Sequence, residues 1–208
     1  VWGDRVFVTT VVRPDPEEAP KKGLYFGGER PEVPTSEHRF QARCHDLSTG
    51  KLLWESTLHR GAPKTPIHLK SSYGAETPVT DGRRVYVLFG GLGLFALDAR
   101  TGKELWSAPL APRKTRYGWG SAASPALHGD RLFLVDDNDE RSEVRAIDAA
   151  SGKDLWRRER DEKSNWATPF VWKHRARTEL VTSGTGAVRA YDPRDGRLLW
   201  WLRGMSSI

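Results

Sequence analysis

The chain has one cysteine, one methionine and no apolar run long enough to cross a lipid bilayer. A single cysteine, Cys44, excludes an internal disulfide framework, although it does not identify the redox compartment. The sequence also lacks Gly-x-Ser-x-Gly, His-Glu-x-x-His and any paired acid and base at catalytic spacing. Without these motifs, no catalytic residue can be named. With 20 glycines and 13 prolines in 208 residues, the composition favours a turn-rich, all-β protein.

Metal-binding patterns are equally scarce. None of the six histidines forms a pair with helical or zinc-ribbon spacing. The acidic stretch DDNDE at 136–140 lacks the glycine and the terminal glutamate of an EF-hand loop. We interpret it as a solvated turn, with weak calcium binding as the lesser alternative, and the sequence predicts no metal site.

What the sequence does contain is a nine-residue pattern that occurs four times. Asp, Gly and Trp stand at its first, fifth and ninth positions, with a basic residue after the Gly and Leu before the Trp. The four sets are Asp46, Gly50 and Trp54; Asp98, Gly102 and Trp106; Asp148, Gly152 and Trp156; and Asp192, Gly196 and Trp200. The tryptophans are 52, 50 and 44 residues apart, a period typical of the blades of a β-propeller.

Each copy is predicted to be the turn between the third and fourth strands of a four-stranded antiparallel blade. The Asp accepts hydrogen bonds from turn amides, the Gly adopts a left-handed conformation, and the Trp packs between neighbouring sheets. Ser-Pro or Thr-Pro pairs at 77–78, 124–125 and 168–169 mark the start of first strands. Cys44 stands where the other copies have alanine, which predicts a small buried strand residue rather than a catalytic thiol.

We therefore predict an all-β fold, an arc of about four β-propeller blades cut from a larger ring, in a single domain, 1–208. Blade 1 covers 1–56 with an insertion at 13–38, and it begins at its second strand because VWGDRVFVTT aligns with LHGDRLFLVD. Blades 2, 3 and 4 cover 73–108, 119–158 and 166–202, and 203–208 begin the connection to a further blade.

The order of strands places the short repeat turns on one face of the blades and the long, irregular connections on the other. We predict that binding occurs on this loop-rich face, because variable loops on a rigid scaffold carry binding residues. The connections between blades are basic, whereas those within blades are acidic: 107–120, between two blades, holds Arg113, Lys114 and Arg116 and no acidic residue. Aromatic residues also precede the first strands. The candidate ligand-binding residues are Tyr73, Arg116, Trp119, Lys163 and Trp166.

A basic, aromatic rim suits an anionic partner that is planar or extended. Nucleic acid is not favoured, because no segment resembles a nucleic-acid-binding fold and a net charge of +6 is modest for 208 residues. The alternative for each single candidate is an ordinary solvated surface residue.

The repeated GDRLF, RAID and ASGKDLW motifs, with the Ser/Thr-Pro pairs, resemble the pyrroloquinoline-quinone (PQQ)-like propeller repeat over nearly all of the chain outside its loops. The resemblance implies a complete ring of seven or eight blades and a periplasmic or extracellular protein whose signal region is not in this sequence. Proteins with this repeat include quinoprotein dehydrogenases, an outer-membrane assembly lipoprotein and many uncharacterised PQQ-binding-like proteins.

Two functions follow from the sequence and from what this resemblance implies. The favoured one is a non-catalytic scaffold whose loop-rich face binds a protein, a peptide or a glycan. The alternative is a dehydrogenase that oxidises an alcohol or sugar with PQQ and calcium, in which Trp119 or Trp166 would support the cofactor. In that alternative, the calcium ligands would come from Asp136, Asp137 or Asn138. The resemblance implies an adjacent cysteine pair in such dehydrogenases, whereas Cys44 stands alone, so we predict no certain cofactor.

Overall fold

A computed structural model describes residues 1–14 and 32–204 of the chain. Within these residues the regular structure consists of fifteen β-strands and one three-residue 3-10 turn. Most of the insertion predicted at 13–38, and the last four residues of the connection predicted at 203–208, lie outside the described residues. No helix of the described part is long and apolar enough to cross a membrane.

The chain divides into two compact units, Val1–Ser121 and Ala122–Ile208. The first unit contains a sheet of three strands, β1 (Arg5–Val12), β2 (His38–Asp46) and β3 (Leu52–Gly61). It also contains a sheet of four strands, β4 (Val79–Thr80), β5 (Arg84–Phe89), β6 (Gly93–Asp98) and β7 (Glu104–Pro109), followed by the 3-10 turn at Arg116–Gly118.

The second unit contains two sheets of four strands. One consists of β8 (Ala126–His128), β9 (Arg131–Asp136), β10 (Glu143–Asp148) and β11 (Asp154–Glu159). The other consists of β12 (Phe170–Lys173), β13 (Thr178–Ser183), β14 (Ala187–Tyr191) and β15 (Leu198–Arg203). In all four sheets the strands pair with their sequence neighbours in antiparallel register, which confirms the predicted all-β fold of propeller blades.

The repeat turns have the predicted geometry. The side chain of Asp46 accepts hydrogen bonds from the amides of Ser48 and Thr49 at 3.1 and 2.8 Å. The hydroxyl groups of Thr49 and Ser48 bond the same carboxylate and lower the pKa of Asp46 to about 2. The four repeat glycines have φ between 71° and 74°, in the left-handed region that disfavours side chains. Each turn is therefore closed by its own Asp and Gly.

In the first unit, the first repeat tryptophan, Trp54, packs between the two sheets. Trp54 is buried in an apolar cluster with side chains of the neighbouring sheet, including Val85 and Leu97. Its indole N–H donates to the carbonyl oxygen of Ala99, in the next repeat turn, at 3.1 Å. The guanidinium of Arg5 donates to the same oxygen at 3.0 Å. We call this pair of donors on one turn carbonyl the Arg–Trp clamp.

The second unit contains the same clamp between its two sheets. The indole of Trp156 donates to the carbonyl oxygen of Pro193 at 3.1 Å, and Arg131 donates to that oxygen at 3.3 Å. Arg5 and Arg131 both stand opposite the repeat Asp of their own blade, in the registers Arg5↔Asp46 and Arg131↔Asp148. The prediction that the repeat tryptophan packs between sheets is thus correct for Trp54 and Trp156.

The last sheet departs from this pattern. Because Leu180 pairs with Tyr191, Glu179 has the register position that Arg5 and Arg131 have in their blades. Its carboxylate accepts the indole N–H of Trp200 at 2.7 Å, and it also accepts from Arg177 at 2.6 Å. The Trp200 indole is therefore bonded within its own blade.

Candidate functional site

Two connecting segments pack together on the first unit, and both precede a predicted first strand. The segment at 62–78 follows β3, and the segment at 110–121 follows β7. The amide of His68 donates to the carbonyl oxygen of Trp119 at 3.1 Å. A Cβ placed on Gly120 would lie 3.0 Å from the carbonyl oxygen of Pro66, so the two backbones approach as closely as glycine allows.

Four side chains from these segments form a continuous row, which we call the aromatic ladder: Arg116, Tyr117, Trp119 and His68. The guanidinium carbon of Arg116 lies over the Tyr117 ring, 5.1 Å from its centre. The centres of the Tyr117 and Trp119 rings are 5.2 Å apart, and those of His68 and Trp119 are 4.9 Å apart with the two rings nearly perpendicular, at 83°. These geometries are those of a cation–π contact, a tilted aromatic pair and a T-shaped aromatic pair.

Tyr117 has an unusual backbone. Its φ of 57° and ψ of 11° make it the one non-glycine residue with positive φ among the described residues. A left-handed conformation costs a residue with a Cβ about 1–2 kcal/mol. The turn is held by Gly118 N–H donating to Thr115 O at 2.9 Å and by Gly120 N–H donating to Thr115 Oγ1 at 2.8 Å. The Tyr117 side chain is left 43% exposed.

Tyr73, another predicted ligand-binding residue, is half-buried on the neighbouring segment. Its hydroxyl donates to the carbonyl oxygen of Thr65 at 3.0 Å, and its ring meets His38 and Phe40 at 5.8 and 6.2 Å. Burial raises the pKa of Tyr73 to about 12, so the phenol stays neutral. These contacts anchor the segment, and a direct part for Tyr73 in ligand binding stays a prediction.

The one carboxylate of the 62–78 segment, Glu76, is only 2% exposed. Its Oε1 accepts a hydrogen bond from the hydroxyl of Ser121 at 2.6 Å and one from the amide of Gly90 at 3.2 Å. Burial raises the pKa of Glu76 to about 7, and these hydrogen bonds only partly offset that effect. The exposed charged residues of this segment are therefore the cations Lys64 and Lys70, whereas its carboxylate is buried.

In the second unit, the DDNDE stretch differs from its prediction as a solvated turn. Asp137 and Asn138 are 5% and 1% exposed. Both oxygens of Asp137 accept from Arg160, at 2.7 and 3.0 Å, and Arg160 also donates to the hydroxyl of Tyr191 at 3.2 Å. Although burial opposes the charge, the Asp137 carboxylate raises the pKa of Arg160, which stays protonated. The prediction of a solvated turn is therefore wrong for Asp137 and Asn138, whereas Asp139 and Glu140 are exposed.

A second buried ion pair fixes the connecting segment that carries Lys163 and Trp166. The carboxylate of Glu162 accepts from the amide of Gly186 at 2.7 Å and from the hydroxyl of Thr185 at 3.0 Å, and it pairs with Arg189. Lys163 is exposed and its amide donates to Thr185 Oγ1 at 3.2 Å, whereas Trp166 is half-buried. Part of the charge expected on this connecting segment is therefore paired inside the unit, since Arg160 pairs with Asp137 and Glu162 pairs with Arg189.

The structure thus brings two of the five predicted residues, Arg116 and Trp119, into one row. Tyr73 lies on the adjoining segment of the same unit, and Lys163 and Trp166 belong to the second unit. Sequence reasoning missed Tyr117 and His68. The string RYGW at 116–119 was the available signal for Tyr117, because it interleaves a cation with two aromatic rings.

Two of the three residues proposed as calcium ligands, Asp137 and Asn138, do not fit that role. Both carboxylate oxygens of Asp137 are bonded to Arg160. The amide nitrogen of Asn138 donates to two carbonyl oxygens, while its oxygen accepts from the amides of Glu140 and Arg141 at 2.9 and 2.7 Å. Across 1–14 and 32–204, no group of three His, Cys, Asp or Glu side chains is placed to hold a metal ion.

Comparisons with known proteins find one family and two kinds of relative. The family model described as outer membrane protein assembly factor BamB matches residues 38–205. BamB from Salmonella typhimurium is 31% identical over 110 residues, 53% of this chain and 25% of that protein. The dehydrogenase subunit of a quinone alcohol dehydrogenase from Gluconacetobacter polyoxogenes is 30% identical over 124 residues, 54% of this chain and 16% of that protein.

Among solved structures, BamB from Moraxella catarrhalis superposes with a TM-score of 0.52 at 19% identity. The match covers 82% of this chain and 48% of that one, and it shows a shared propeller fold. The matched region spans about a quarter of the length of the Salmonella relative. The row formed by Arg116, Tyr117, Trp119 and His68 lies inside the matched residues 38–205.

Proposed function

Because the chain belongs to the family described as outer membrane protein assembly factor BamB, we propose that it is part of a non-catalytic propeller scaffold that binds protein partners during outer-membrane assembly. The contacts would be made by the loop-rich face, while the repeat turns hold the blades. A protein or peptide is the proposed partner, ahead of a glycan, since the family's own description is one of protein assembly.

The observation that carries this proposal is the aromatic ladder on the two packed connecting segments of the first unit. Tyr117 and Arg116 offer an aromatic ring and a guanidinium side by side, the residue types that are enriched at the centres of protein interfaces. The segments that hold them are tied to each other and to rigid sheets, so little order has to be gained on binding.

Site-specific photocrosslinking in the intact protein tests the proposal. A photoreactive residue at Lys114 or Lys163, on the loop-rich side, should crosslink to an outer-membrane β-barrel protein or to another assembly component in cell envelopes. The same residue at Lys51 or Lys103, in the repeat turns, is the matched control and should give no such product. Equal crosslinking from the two faces, or none to an envelope protein from either, would refute the proposal.

The second candidate function is a PQQ-dependent dehydrogenase, which the likeness to the quinone alcohol dehydrogenase subunit favours. The bonded state of Asp137 and Asn138 argues against calcium binding at those residues. Reduction of an artificial electron acceptor by the intact protein, with PQQ, calcium and an alcohol or sugar, would establish this function in place of the first. We expect no turnover and no PQQ absorbance on the protein after gel filtration.

The remaining proposals concern the whole protein. We propose that the two units belong to one propeller domain of seven or eight blades and that the protein is periplasmic or extracellular. The four-fold repeat and the family support both statements. Cell fractionation with periplasmic and cytoplasmic marker enzymes tests the location, and recovery of the protein with the cytoplasmic marker would contradict it.

A further inference from the structure

The two segments that carry the aromatic ladder combine stacking groups with an excess of positive charge. The two segments contribute five cationic residues and, apart from the buried Glu76, no carboxylate within 62–78 and 110–121: Lys64, Lys70, Arg113, Lys114 and Arg116. The segments also converge at Gly91, because Thr65 and Pro112 each have an atom within 3.5 Å of a Cβ built on that glycine. The five cations therefore belong to the same two packed segments as the ladder.

The conformation of Tyr117 is a second pointer to binding. The turn at 115–120 is closed by backbone groups and by Thr115, and neither the hydroxyl nor the ring of Tyr117 takes part in those hydrogen bonds. Glycine or asparagine would adopt the left-handed conformation at lower cost than tyrosine. Strained residues of this kind are concentrated at binding and active sites, where the strain accompanies function.

We propose that the aromatic ladder binds an extended acidic peptide segment that carries an aromatic side chain. The partner's ring packs on the exposed part of Tyr117, and its carboxylates bond Arg116 and the neighbouring lysines. The inference deepens the proposed function, on which it rests, by naming the chemistry of the partner. It gives the charge of the two segments and the strained tyrosine a single explanation.

A single-stranded nucleic acid is also anionic and aromatic, but the ladder does not suit it. Proteins that bind single strands stack successive bases on several open rings along a groove. Here one ring, Tyr117, is well exposed, whereas Trp119 lies between Tyr117 and His68 and is half-buried. One open ring matches one aromatic side chain flanked by carboxylates.

The test measures binding of the intact protein to a random copolymer of glutamate and tyrosine by fluorescence anisotropy at low salt. Polyglutamate of equal length, which has no ring, should bind about tenfold more weakly, the effect of losing one good aromatic contact. A thirty-residue oligothymidine should bind no better than polyglutamate. The copolymer's affinity should fall as the salt concentration rises, because exposed charges are screened.

Variants of the ladder separate binding from folding. Tyr117→Asn removes the ring and relieves the strain, so the melting temperature should stay the same or rise while copolymer affinity falls about tenfold. Tyr117→Phe keeps the ring and should keep the affinity. Arg116→Gln should weaken binding of both polymers, whereas its matched control, Lys103→Gln in a repeat turn, should weaken neither. Phe170→Asn controls for the loss of an exposed ring elsewhere.

The outcomes that overturn the inference are distinct from those that overturn the proposed function. No binding of the copolymer, unchanged affinity in Tyr117→Asn, or oligothymidine binding as tight as the copolymer would each refute the acidic-peptide site. If that happens while loop-face crosslinks to assembly components persist, the scaffold function stands and only the partner chemistry is wrong. Copolymer binding without such crosslinks would keep the site and refute the role in assembly.

Discussion

Replacing Glu76 with glutamine should change how the stability of the protein depends on pH. The Glu76 carboxyl is 2% exposed and its pKa is raised from 4.5 to about 7 by burial. Below pH 4.5 the group is protonated in the folded and unfolded chains alike. Between pH 4.5 and 7 the unfolded chain gives up the proton first, so stability falls as the pH rises, and above pH 7 the loss is complete.

The size of the effect follows from the two pKa values. One pKa unit corresponds to about 1.4 kcal/mol, so the rise from 4.5 to about 7 removes about 3 kcal/mol of stability between acidic and mildly alkaline solution. Glutamine has nearly the same shape and no ionisation. Its carbonyl oxygen can accept from both the amide of Gly90 and the hydroxyl of Ser121, which donate to a single oxygen of Glu76, so these contacts are retained.

Urea unfolding of the wild type and of Glu76→Gln at pH 5 and pH 8 provides the measurement. The wild type should lose about 2.5 kcal/mol more than the variant between the two pH values, because the unfolded chain has already begun to ionise at pH 5. Glu104→Gln, an exposed strand residue, serves as the control and should follow the wild type. Parallel pH profiles for the wild type and Glu76→Gln would show that the buried carboxyl is not the titrating group and would refute the reasoning.

Two further changes test the blades themselves. Gly50→Ala and Gly102→Ala both force a side chain into φ above 70°, which costs about 1–2 kcal/mol. Only Gly102 has a crowded neighbour, since its Cβ would lie 2.6 Å from Trp54, so Gly102→Ala should cost at least about 1 kcal/mol more in urea unfolding. Equal costs would contradict the inter-sheet packing of the tryptophan. Asp137→Ala should lower the free energy of unfolding by about 3–5 kcal/mol, because it leaves the charge of the buried Arg160 without its carboxylate partner. The double variant Asp137→Ala/Arg160→Met should recover part of that stability, and thermal melting of the two variants measures the recovery.

Much of the fold could be predicted because the sequence contains the same structural motif four times. The Asp–Gly turn is local, so each copy reports its own geometry, and the Ser/Thr-Pro pairs locate the first strands to within a residue. The burial of Cys44, at 0% exposed, followed from comparison with the alanines at the same register. The burial of Asp137 in the DDNDE stretch was not predicted, because it depends on Arg160, a partner that local sequence does not identify.

The candidate site was predictable only in part. Basic and aromatic residue types in the connecting segments identified Arg116 and Trp119, since composition is visible without a structure. The contact of His68 with Trp119 joins residues 51 positions apart, and the positive φ of Tyr117 depends on how the 115–120 turn closes. Neither feature has a period or a spacing, so a sequence pattern does not reveal it. Loop sites of this kind are set by packing between segments rather than by local propensity.

The Arg–Trp clamp explains why the repeat constrains some positions and leaves others variable. Its donors are side chains, so their identities matter, whereas its acceptors are backbone carbonyls, which alanine at 99 and proline at 193 supply equally well. Where Glu179 takes the register position of the arginine, the donor becomes an acceptor and Trp200 bonds inward. Both clamps bond carbonyl groups of repeat turns, so these contacts between sheets do not involve the connections on the opposite face. Their sequences can therefore differ from blade to blade and carry binding chemistry such as the ladder without weakening the contacts between sheets.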